Sequence, residues 1–299
     1  MLIATKLLTM KKIKFLITLL LSVVIANGVL AQSKVYESKV IKSTILGEDR
    51  KYSVYLPDGY DESERSYPIL YLLHPAGPRG TVPNQQSWIY YGELKQYLDR
   101  AIANGEIAPM IVVTPDANFG TVRRSYYNDA DGKFNFEDFF FQEFMPHVEK
   151  TYRVRTEKAS RAIAGASAGG GGAVYYALHH PELFGVCCGL SAAIREWEDA
   201  NMKSRYPEVS EAKLKEWFKP YDVFNIVRQM SDQQKNQFKL YITCGDDDGL
   251  SANNSALHSE LKKAGFKHEF RIGDGAHDWA YWRKILPEFM KYVSDSFRQ

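Results

Sequence analysis

The chain has 299 residues, of which 45% are hydrophobic and 25% are charged. This composition is typical of a folded globular protein, and it excludes both a disordered chain and a multi-span membrane protein. The 38 basic and 36 acidic residues nearly balance, which argues against nucleic acid as a partner.

The N-terminal segment has the pattern of a secretory leader. Three lysines lie ahead of an apolar run over residues 15–26, and the small residue Ala31 occupies the place where signal peptidase cleaves. We therefore expect residues 1–31 to be a signal peptide and residues 32–299 to be a single domain that is secreted or periplasmic. The apolar run is too short to span a bilayer comfortably, and no cysteine near the cleavage point could carry a lipid, so no stable membrane anchor is expected.

Short apolar runs predict the strands of one sheet. The first two, over residues 35–43 and 51–56, indicate an antiparallel entry to that sheet. Six later runs are mostly apolar or β-branched, as expected of parallel strands that are covered on both faces. These six runs cover residues 68–73, 110–113, 161–164, 184–190, 240–244 and 268–272.

Helical patterns alternate with these strands, which is typical of a doubly wound α/β fold with a mostly parallel sheet and helices on both faces. The clearest helical patterns span residues 92–104, 136–152, 171–180, 253–264 and 279–297. Residues 191–236 interrupt the alternation and predict a cap-like insertion. Its aromatic side chains either cover a site or form a small core of their own.

Three cysteines, Cys187, Cys188 and Cys244, each lie in an apolar run that resembles a strand. Neighbouring residues on a strand point to opposite faces of the sheet, so the adjacent pair is poorly placed to form a bridge. We expect buried free thiols, and a bridge from one of the pair to Cys244 is the less favoured alternative.

Residues 165–169 form a Gly-x-Ser-x-Gly motif between a predicted strand and a predicted helix. That context is typical of a nucleophile elbow, in which Ser167 occupies the sharp turn. Glycines on both sides relieve the crowding of such a turn. A flexible glycine-rich loop has a similar composition, so the elbow interpretation depends on finding partners for the serine elsewhere in the chain.

A serine hydroxyl is a weak nucleophile that needs a histidine to accept its proton and an acid to orient that histidine. In proteins with a nucleophile elbow of this kind, the acid follows the serine in the chain and the histidine follows the acid. The chain has seven histidines, and His277 is the one in a loop after a late predicted strand. The others precede the serine, lie in predicted helices, or begin a strand. His277 is therefore the candidate base.

The acid is expected in the turn after the strand over residues 240–244, where three aspartates follow one another. A Gly-x-x-Asp spacing from Gly245 selects Asp248, with Asp247 and then Asp246 as the alternatives. The run lacks the alternating acids and the distal glutamate of a calcium loop, so neither a metal nor a cofactor is expected.

The oxyanion of a tetrahedral intermediate needs two backbone amides as hydrogen-bond donors. One is expected from Ala168, the residue after the serine, and the other from the loop that follows the strand over residues 68–73. Pro75 in that loop has no amide hydrogen. Ala76 is therefore the first candidate for the second donor, and Gly77 is the next.

Several segments together carry a specific resemblance. They are residues 67–74, Trp88, residues 139–146, residues 161–167, the spacing Gly245-x-x-Asp248, and His277-Asp278-Trp279-x-x-Trp282. The chain resembles the esterase D-like group of α/β-hydrolases, and within that group the feruloyl and acetyl xylan esterases of carbohydrate esterase family one. The resemblance covers nearly all of residues 35–299 and implies Ser167, Asp248 and His277 as the catalytic triad. One departure is Pro75, where the family usually has glycine.

The resemblance also implies a substrate class, namely plant cell-wall esters with feruloyl or acetyl groups on xylan. The expected partner is an ester of a carbohydrate or of a phenolic acid, cleaved in two steps through an acyl-enzyme. Aromatic side chains suit stacking on such groups, and the candidates for substrate binding are Trp88, Trp279 and Trp282. Two alternatives use the same triad, a related acyltransferase and an esterase that acts on a siderophore of the enterobactin type.

Overall fold

The computed structural model describes residues 32–76, 82–117, 126–194 and 202–297, with the backbone alone at Met202 and Arg205. The predicted leader and Gly77 lie outside these residues. Within them, eight strands form one sheet, and their bounds are β1 (Lys34–Lys42), β2 (Asp49–Leu56), β3 (Ile69–Leu73), β4 (Ile111–Pro115), β5 (Arg161–Ala166), β6 (Val186–Leu190), β7 (Lys239–Gly245) and β8 (His268–Gly273).

The sheet has the strand order β1-β2-β4-β3-β5-β6-β7-β8. β1 pairs with β2 and β2 with β4 in antiparallel fashion. The other six strands, β3 to β8, are parallel to one another. The predicted strands are confirmed to within two residues at each end. The mostly parallel sheet with an antiparallel entry is confirmed as well.

Helices lie on both faces of this sheet. Their bounds are α1 (Ser87–Tyr90), α2 (Leu94–Ala103), α3 (Phe136–Asp138), α4 (Met145–Thr151), α5 (Ala168–His179), α6 (Met202–Arg205), α7 (Glu211–Phe218), α8 (Val223–Gln229), α9 (Asp232–Lys235), α10 (Ser251–Lys263) and α11 (Trp279–Ser296), with 3₁₀ turns at Asn84–Gln86, Lys158–Ser160 and Lys219–Tyr221. Among the residues that the structure describes, none of these helices is both long and apolar enough to cross a membrane.

The predicted continuous helix over residues 136–152 is interrupted. Residues Phe139–Phe144 form a π-helix between α3 and α4. Pro146 lies at the start of α4 and has no amide hydrogen to donate to the preceding turn, which explains why the α-helical hydrogen bonding is not continuous there.

Apolar side chains are buried on both faces of the sheet. Cys187 belongs to the core on one face and Cys188 to the core on the other, as adjacent strand residues must. Both are free and buried, as is Cys244, so the prediction of buried thiols is confirmed. Burial raises the pKa of all three thiols because a thiolate is disfavoured away from water.

The expectation that β8 is covered on both faces is wrong. β8 is an edge strand that pairs with β7 alone, and its side chains alternate between half-buried and exposed up to Ile272, which is exposed. Phe270 stacks on the ring of His258 in α10, whereas Arg271 on the opposite face forms an ion pair with Glu269. One face of β8 is therefore packed and the other is hydrated.

The described part of the predicted insertion, residues 191–236, consists of short helices. α8 packs against α5 and α10, and the indole Nε1 of Trp217 donates to the Asn128 carbonyl at 2.8 Å. Leu214 is buried in a small cluster with Ala130. Three more apolar side chains pack at the margin of that cluster, Tyr206, Val209 and Phe218. Ala130 and Asn128 lie outside the insertion, and Phe224 belongs to the main core. These side chains therefore pack the insertion onto the rest of the domain, and its role as a cap remains a prediction.

The start of α5 lies directly against the end of β3, so a side chain larger than glycine at this contact should destabilise the fold. An alanine Cβ at Gly169 would overlap the Leu73 carbonyl and lie 2.6 Å from the His74 carbonyl oxygen. We expect Gly169→Ala to lower the free energy of unfolding by about 3 kcal/mol, because backbone atoms of β3 would have to shift. Urea denaturation measures this change.

Gly249→Ala is the matched control, because no atom lies within 4 Å of its added Cβ. We expect its free energy of unfolding to change by no more than about 0.5 kcal/mol. Equal effects of the two substitutions would contradict the close contact at Gly169.

Candidate active site

Ser167 occupies the turn between β5 and α5 with φ of 56° and ψ of −120°, a conformation that side-chain-bearing residues rarely adopt. Its amide donates to the Leu190 carbonyl at 2.9 Å. Its carbonyl accepts from the amides of Gly171 and Ala193, both at 2.9 Å. Hydrogen bonds from three directions therefore hold the serine in this unusual conformation.

The two glycines of the motif are needed for the same turn. A Cβ at Gly165 would overlap the backbone of Gly169, and a Cβ at Gly169 would overlap the end of β3. The structure thus has the strand, sharp turn and helix that the sequence predicts around Ser167.

Three side chains that are far apart in the sequence form one hydrogen-bonded line. His277 Nε2 lies 2.8 Å from Ser167 Oγ, and His277 Nδ1 lies 2.8 Å from Asp248 Oδ2. When Nδ1–H donates to the carboxylate, Nε2 has a lone pair that can accept the serine proton. The Asp248 side chain is fully buried, and its other oxygen accepts from the Leu250 amide at 2.8 Å.

The other two aspartates of the run do not contact His277 but hold its loop. Asp246 Oδ1 accepts from the Gly275 amide at 3.0 Å. The amides of Asp246 and Asp247 donate to the carbonyls of Gly273 and Gly275 at 2.9 and 3.0 Å. The hydrogen bond from Gly275 lowers the pKa of the Asp246 carboxyl, which favours the ionised carboxylate that accepts this bond.

The two predicted oxyanion donors lie on elements that contact the elbow. Ala168 is the first residue of α5, and the amides of a first helical turn have no acceptor within their own helix. Ala76 follows β3 and is exposed, in the segment whose His74 carbonyl approaches Gly169.

His74 fixes the peptide group that carries the Ala76 amide, a role that the sequence analysis missed. The ring is fully buried, and its Nε2 accepts from the Ala117 amide at 3.0 Å. Nδ1 therefore carries the hydrogen and donates to the Pro75 carbonyl at 2.9 Å. Because the peptide group is planar, holding the carbonyl also sets the opposite direction of the Ala76 N–H. In the sequence, this role is indicated only by His74 and Pro75 directly after the predicted strand.

Trp88 is a structural residue, which corrects the expectation that it contacts a substrate. It is fully buried, and its Nε1 donates to the Leu73 carbonyl at 3.1 Å. Its ring packs edge-on against Trp279 at 5.1 Å between centroids. Trp279 is partly exposed and remains a candidate for substrate contact.

Trp282 is also buried, so its predicted substrate contact is corrected as well. It is 4% exposed, and its Nε1 donates to Ser191 Oγ at 3.2 Å. The indole packs edge-to-face with the imidazole of His277, with 5.3 Å between ring centroids. Trp282 therefore helps to fix the orientation of the histidine.

The buried His74 predicts a pH dependence of stability. Burial lowers its pKa in the folded state, so the unfolded chain takes up a proton at a higher pH than the folded chain. The stability that this neutral ring contributes is complete above the unfolded value of about 6.5 and decreases as the pH falls below it.

We expect the free energy of unfolding of the wild type to fall between about pH 7.5 and pH 5.5. His74→Gln should be less stable at both values, because hydrogen bonds are lost, but its stability should fall less between them. Urea denaturation at both pH values measures the difference. An equal fall in the two proteins would contradict a neutral buried ring.

Comparisons with known proteins show the family and the fold of this chain. The model of the family described as "Putative esterase" matches residues 43–292. A solved ferulic acid esterase is 32% identical with a TM-score of 0.77, and the match covers 89% of this chain and 99% of that one.

Several curated relatives carry enzyme names, and two of these matches cover more than four fifths of this chain. The endo-1,4-beta-xylanase/feruloyl esterase of Xylanibacter ruminicola is 29% identical, over 82% of this chain and 29% of that protein. The iron(III) salmochelin esterase of Escherichia coli is 24% identical, over 81% of this chain and 54% of that protein. The chain spans less than a third of the length of the first curated relatives that it matches.

The matched region contains the elbow, the buried aspartate and the histidine that joins them. This chain therefore belongs to the Esterase family of α/β-hydrolases, and it is similar to a ferulic acid esterase and to a xylanase/feruloyl esterase.

Proposed function

We propose that this protein is a secreted carboxylesterase that removes feruloyl or acetyl groups from plant cell-wall xylan through an acyl-enzyme on Ser167. The observation that carries the mechanism is the line of two 2.8 Å hydrogen bonds from Ser167 through His277 to Asp248. The substrate class rests on the resemblance to esterases whose names include ferulic acid and xylan.

The proposed first step forms a bond between Ser167 Oγ and the carbonyl carbon of the ester. His277 Nε2 accepts the hydroxyl proton as the bond forms, and it then gives that proton to the leaving alcohol oxygen. Asp248 keeps the proton on Nδ1 and stabilises the imidazolium. In the second step a water molecule loses a proton to His277 and attacks the acyl carbon, which releases the acid and restores the serine.

The oxyanion that forms in each step is assigned to two amides. Ala168 contributes the amide at the positive end of the α5 dipole, where negative charge is favoured. Ala76 contributes the second, and His74 holds the direction of its peptide group. Gly77 is the alternative second donor and lies outside the described residues.

The proposed location follows from the sequence. The lysines and the apolar run of residues 1–31 are typical of a secretory leader. Xylan is an extracellular polymer that cannot enter a cell intact, so an esterase that acts on it must be exported.

A second substrate class is favoured by one observation, the match to the iron(III) salmochelin esterase over 81% of this chain. That activity would use the same three side chains on the ester bonds of a siderophore. Comparing methyl ferulate, acetylated xylan and a ferric catecholate trilactone as substrates separates the two proposals. Faster turnover of the trilactone than of the other two substrates would favour the siderophore esterase activity.

The role of Ser167 is tested by Ser167→Ala. We expect the value of kcat for methyl ferulate and 4-nitrophenyl acetate to fall by about 10⁴-fold or more, because the acyl-enzyme cannot form. Circular dichroism checks that the fold is retained. Full activity of the alanine variant would disprove the proposed nucleophile.

The choice among the three aspartates is tested by a matched set of substitutions. Asp248→Asn should lower kcat by about 10³- to 10⁴-fold, since the amide cannot hold His277 in the required tautomer. Asp247→Asn, an exposed neighbour, should leave kcat within about twofold. Loss of activity in Asp247→Asn with normal rates in Asp248→Asn would contradict the assignment.

A further inference from the structure

We propose that Glu137, His179 and His180 bind a divalent transition-metal ion of the Zn²⁺ type, at a site separate from the catalytic centre. Glu137 lies in α3, His179 is the last residue of α5, and His180 follows it. α5 has 12 residues, which places this site about 18 Å from Ser167 at the other end of the helix. The site does not depend on the esterase activity.

The donor atoms of the three side chains converge. His179 Nδ1 lies 2.9 Å from Glu137 Oε1, and His180 Nε2 lies 3.6 Å from the same oxygen. One donor atom from each residue lies within 4.8 Å of the other two. In a tetrahedral zinc site with bonds of about 2.0 to 2.1 Å, ligand atoms are about 3.3 Å apart. The observed separations lie on either side of that value, so small rotations of the rings would complete the site.

The backbone explains how two consecutive histidines can face one carboxylate. Neighbouring residues within an α-helix point about 100° apart and do not share a ligand. α5 ends at His179, and His180 leaves the helix with φ of −123° and ψ of 62°. The second ring is thereby turned back beside the first, with 4.6 Å between ring centroids.

A simple ion pair between Glu137 and His179 does not account for His180. The 3.6 Å between His180 Nε2 and Glu137 Oε1 is longer than a hydrogen bond. The ring of His180 packs on Phe141 with 4.2 Å between centroids, and its Nδ1 lies 3.7 Å from Glu182 Oε1. Packing and a second, more exposed carboxylate therefore hold the ring beside Glu137, with Nε2 directed toward that residue. This arrangement presents a second imidazole to a carboxylate that His179 already contacts.

The surroundings suit a metal site that is open to solvent on one side. The Glu137 side chain is 8% exposed, whereas those of His179 and His180 are 42% and 29% exposed. The hydroxyl of Tyr175 lies 3.0 and 3.2 Å from the two carboxylate oxygens and 2.7 Å from His179 Nδ1. When its single hydrogen is donated to the carboxylate, this outer hydrogen bond orients the ligating group. Two imidazoles and one carboxylate favour Zn²⁺, Co²⁺ or Ni²⁺ over Mg²⁺ and Ca²⁺, which prefer oxygen ligands alone.

A bound ion would connect α3 to the end of α5. Glu137 directly precedes the π-helix Phe139–Phe144, and His179 belongs to the helix that begins at the nucleophile. The ion would therefore stabilise the folded state by crosslinking two elements, without contacting the reacting atoms.

The experiment is calorimetric titration of ZnCl₂ into protein that has been treated with a chelator and dialysed, with thermal unfolding in parallel. We expect one equivalent of Zn²⁺ to bind, and Tm to rise by about 5 °C or more at a free concentration 100-fold above Kd. Titration with Co²⁺ should give the visible absorption of a tetrahedral complex. Absence of binding in the wild type would overturn the proposal.

His180→Gln is the decisive variant, because the ring makes a longer contact that an ion pair would not need. We expect its Zn²⁺ affinity to fall at least tenfold, while its hydrolysis of 4-nitrophenyl acetate stays unchanged. His179→Gln should show the same loss of affinity and provides a second test. Wild-type affinity in His180→Gln would overturn the assignment.

His258→Gln is the matched control. His258 Nδ1 lies 2.8 Å from His268 Nε2, so this pair is another place in the described chain where two imidazoles meet. Zn²⁺ affinity should be unchanged in His258→Gln. Loss of binding in this variant, with normal binding in His180→Gln, would place the ion at the other pair and contradict the proposal.

Discussion

A helix can begin directly against two neighbouring strands only where the residues at the contact have no side chain. Gly165 and Gly169 provide this condition where α5 meets the ends of β5 and β3. Their close backbone approach places Ser167 on a turn with positive φ and brings the Ala168 amide next to the segment that follows β3. The proposed nucleophile and its proposed oxyanion donors therefore depend on one backbone contact.

The same kind of contact joins the loops that carry the proposed acid and the proposed base. A side chain at Gly245 would overlap the carbonyl of Gly275, and the Asp246 carboxylate accepts from the Gly275 amide. The turn after β7 and the loop after β8 thus form one unit, which sets the position of His277 relative to Asp248. The indole of Trp282 packs edge-to-face with the imidazole, so His277 is held by Asp248, by its own loop and by this indole.

Much of this arrangement could be predicted because it depends on short sequence patterns or on the order of residues along the chain. The apolar runs predict the strands, and the glycines beside Ser167 predict the sharp turn. The order of serine, acid and histidine predicts which side chains meet. Spacing alone chose Asp248 among three aspartates, and the structure shows why, since the other two are exposed. In β8 the charged residues Glu269 and Arg271 alternate with Phe270 and Ile272, a pattern that indicates a half-exposed strand more than one covered on both faces.

Features that depend on packing between distant segments could not be predicted. Trp88 and Trp282 lie near loops in the sequence, and a sequence does not show that their indoles turn inward. The hydrogen bonds of His74 need the position of Ala117, which is 43 residues away. Glu137 and His179 are 42 residues apart, so their convergence with His180 appears only once α5 is packed beside α3.

Ser167 is proposed to be the serine that its neighbours activate. Labelling with a phosphonate ester that reacts with activated serines, followed by fragmentation mass spectrometry, tests this claim most directly. We expect a single adduct on Ser167 in the wild type and none in His277→Ala, because the proton acceptor is then missing. An adduct on Ser191 in the same tryptic peptide, or labelling of Ser167 that does not depend on His277, would contradict the account.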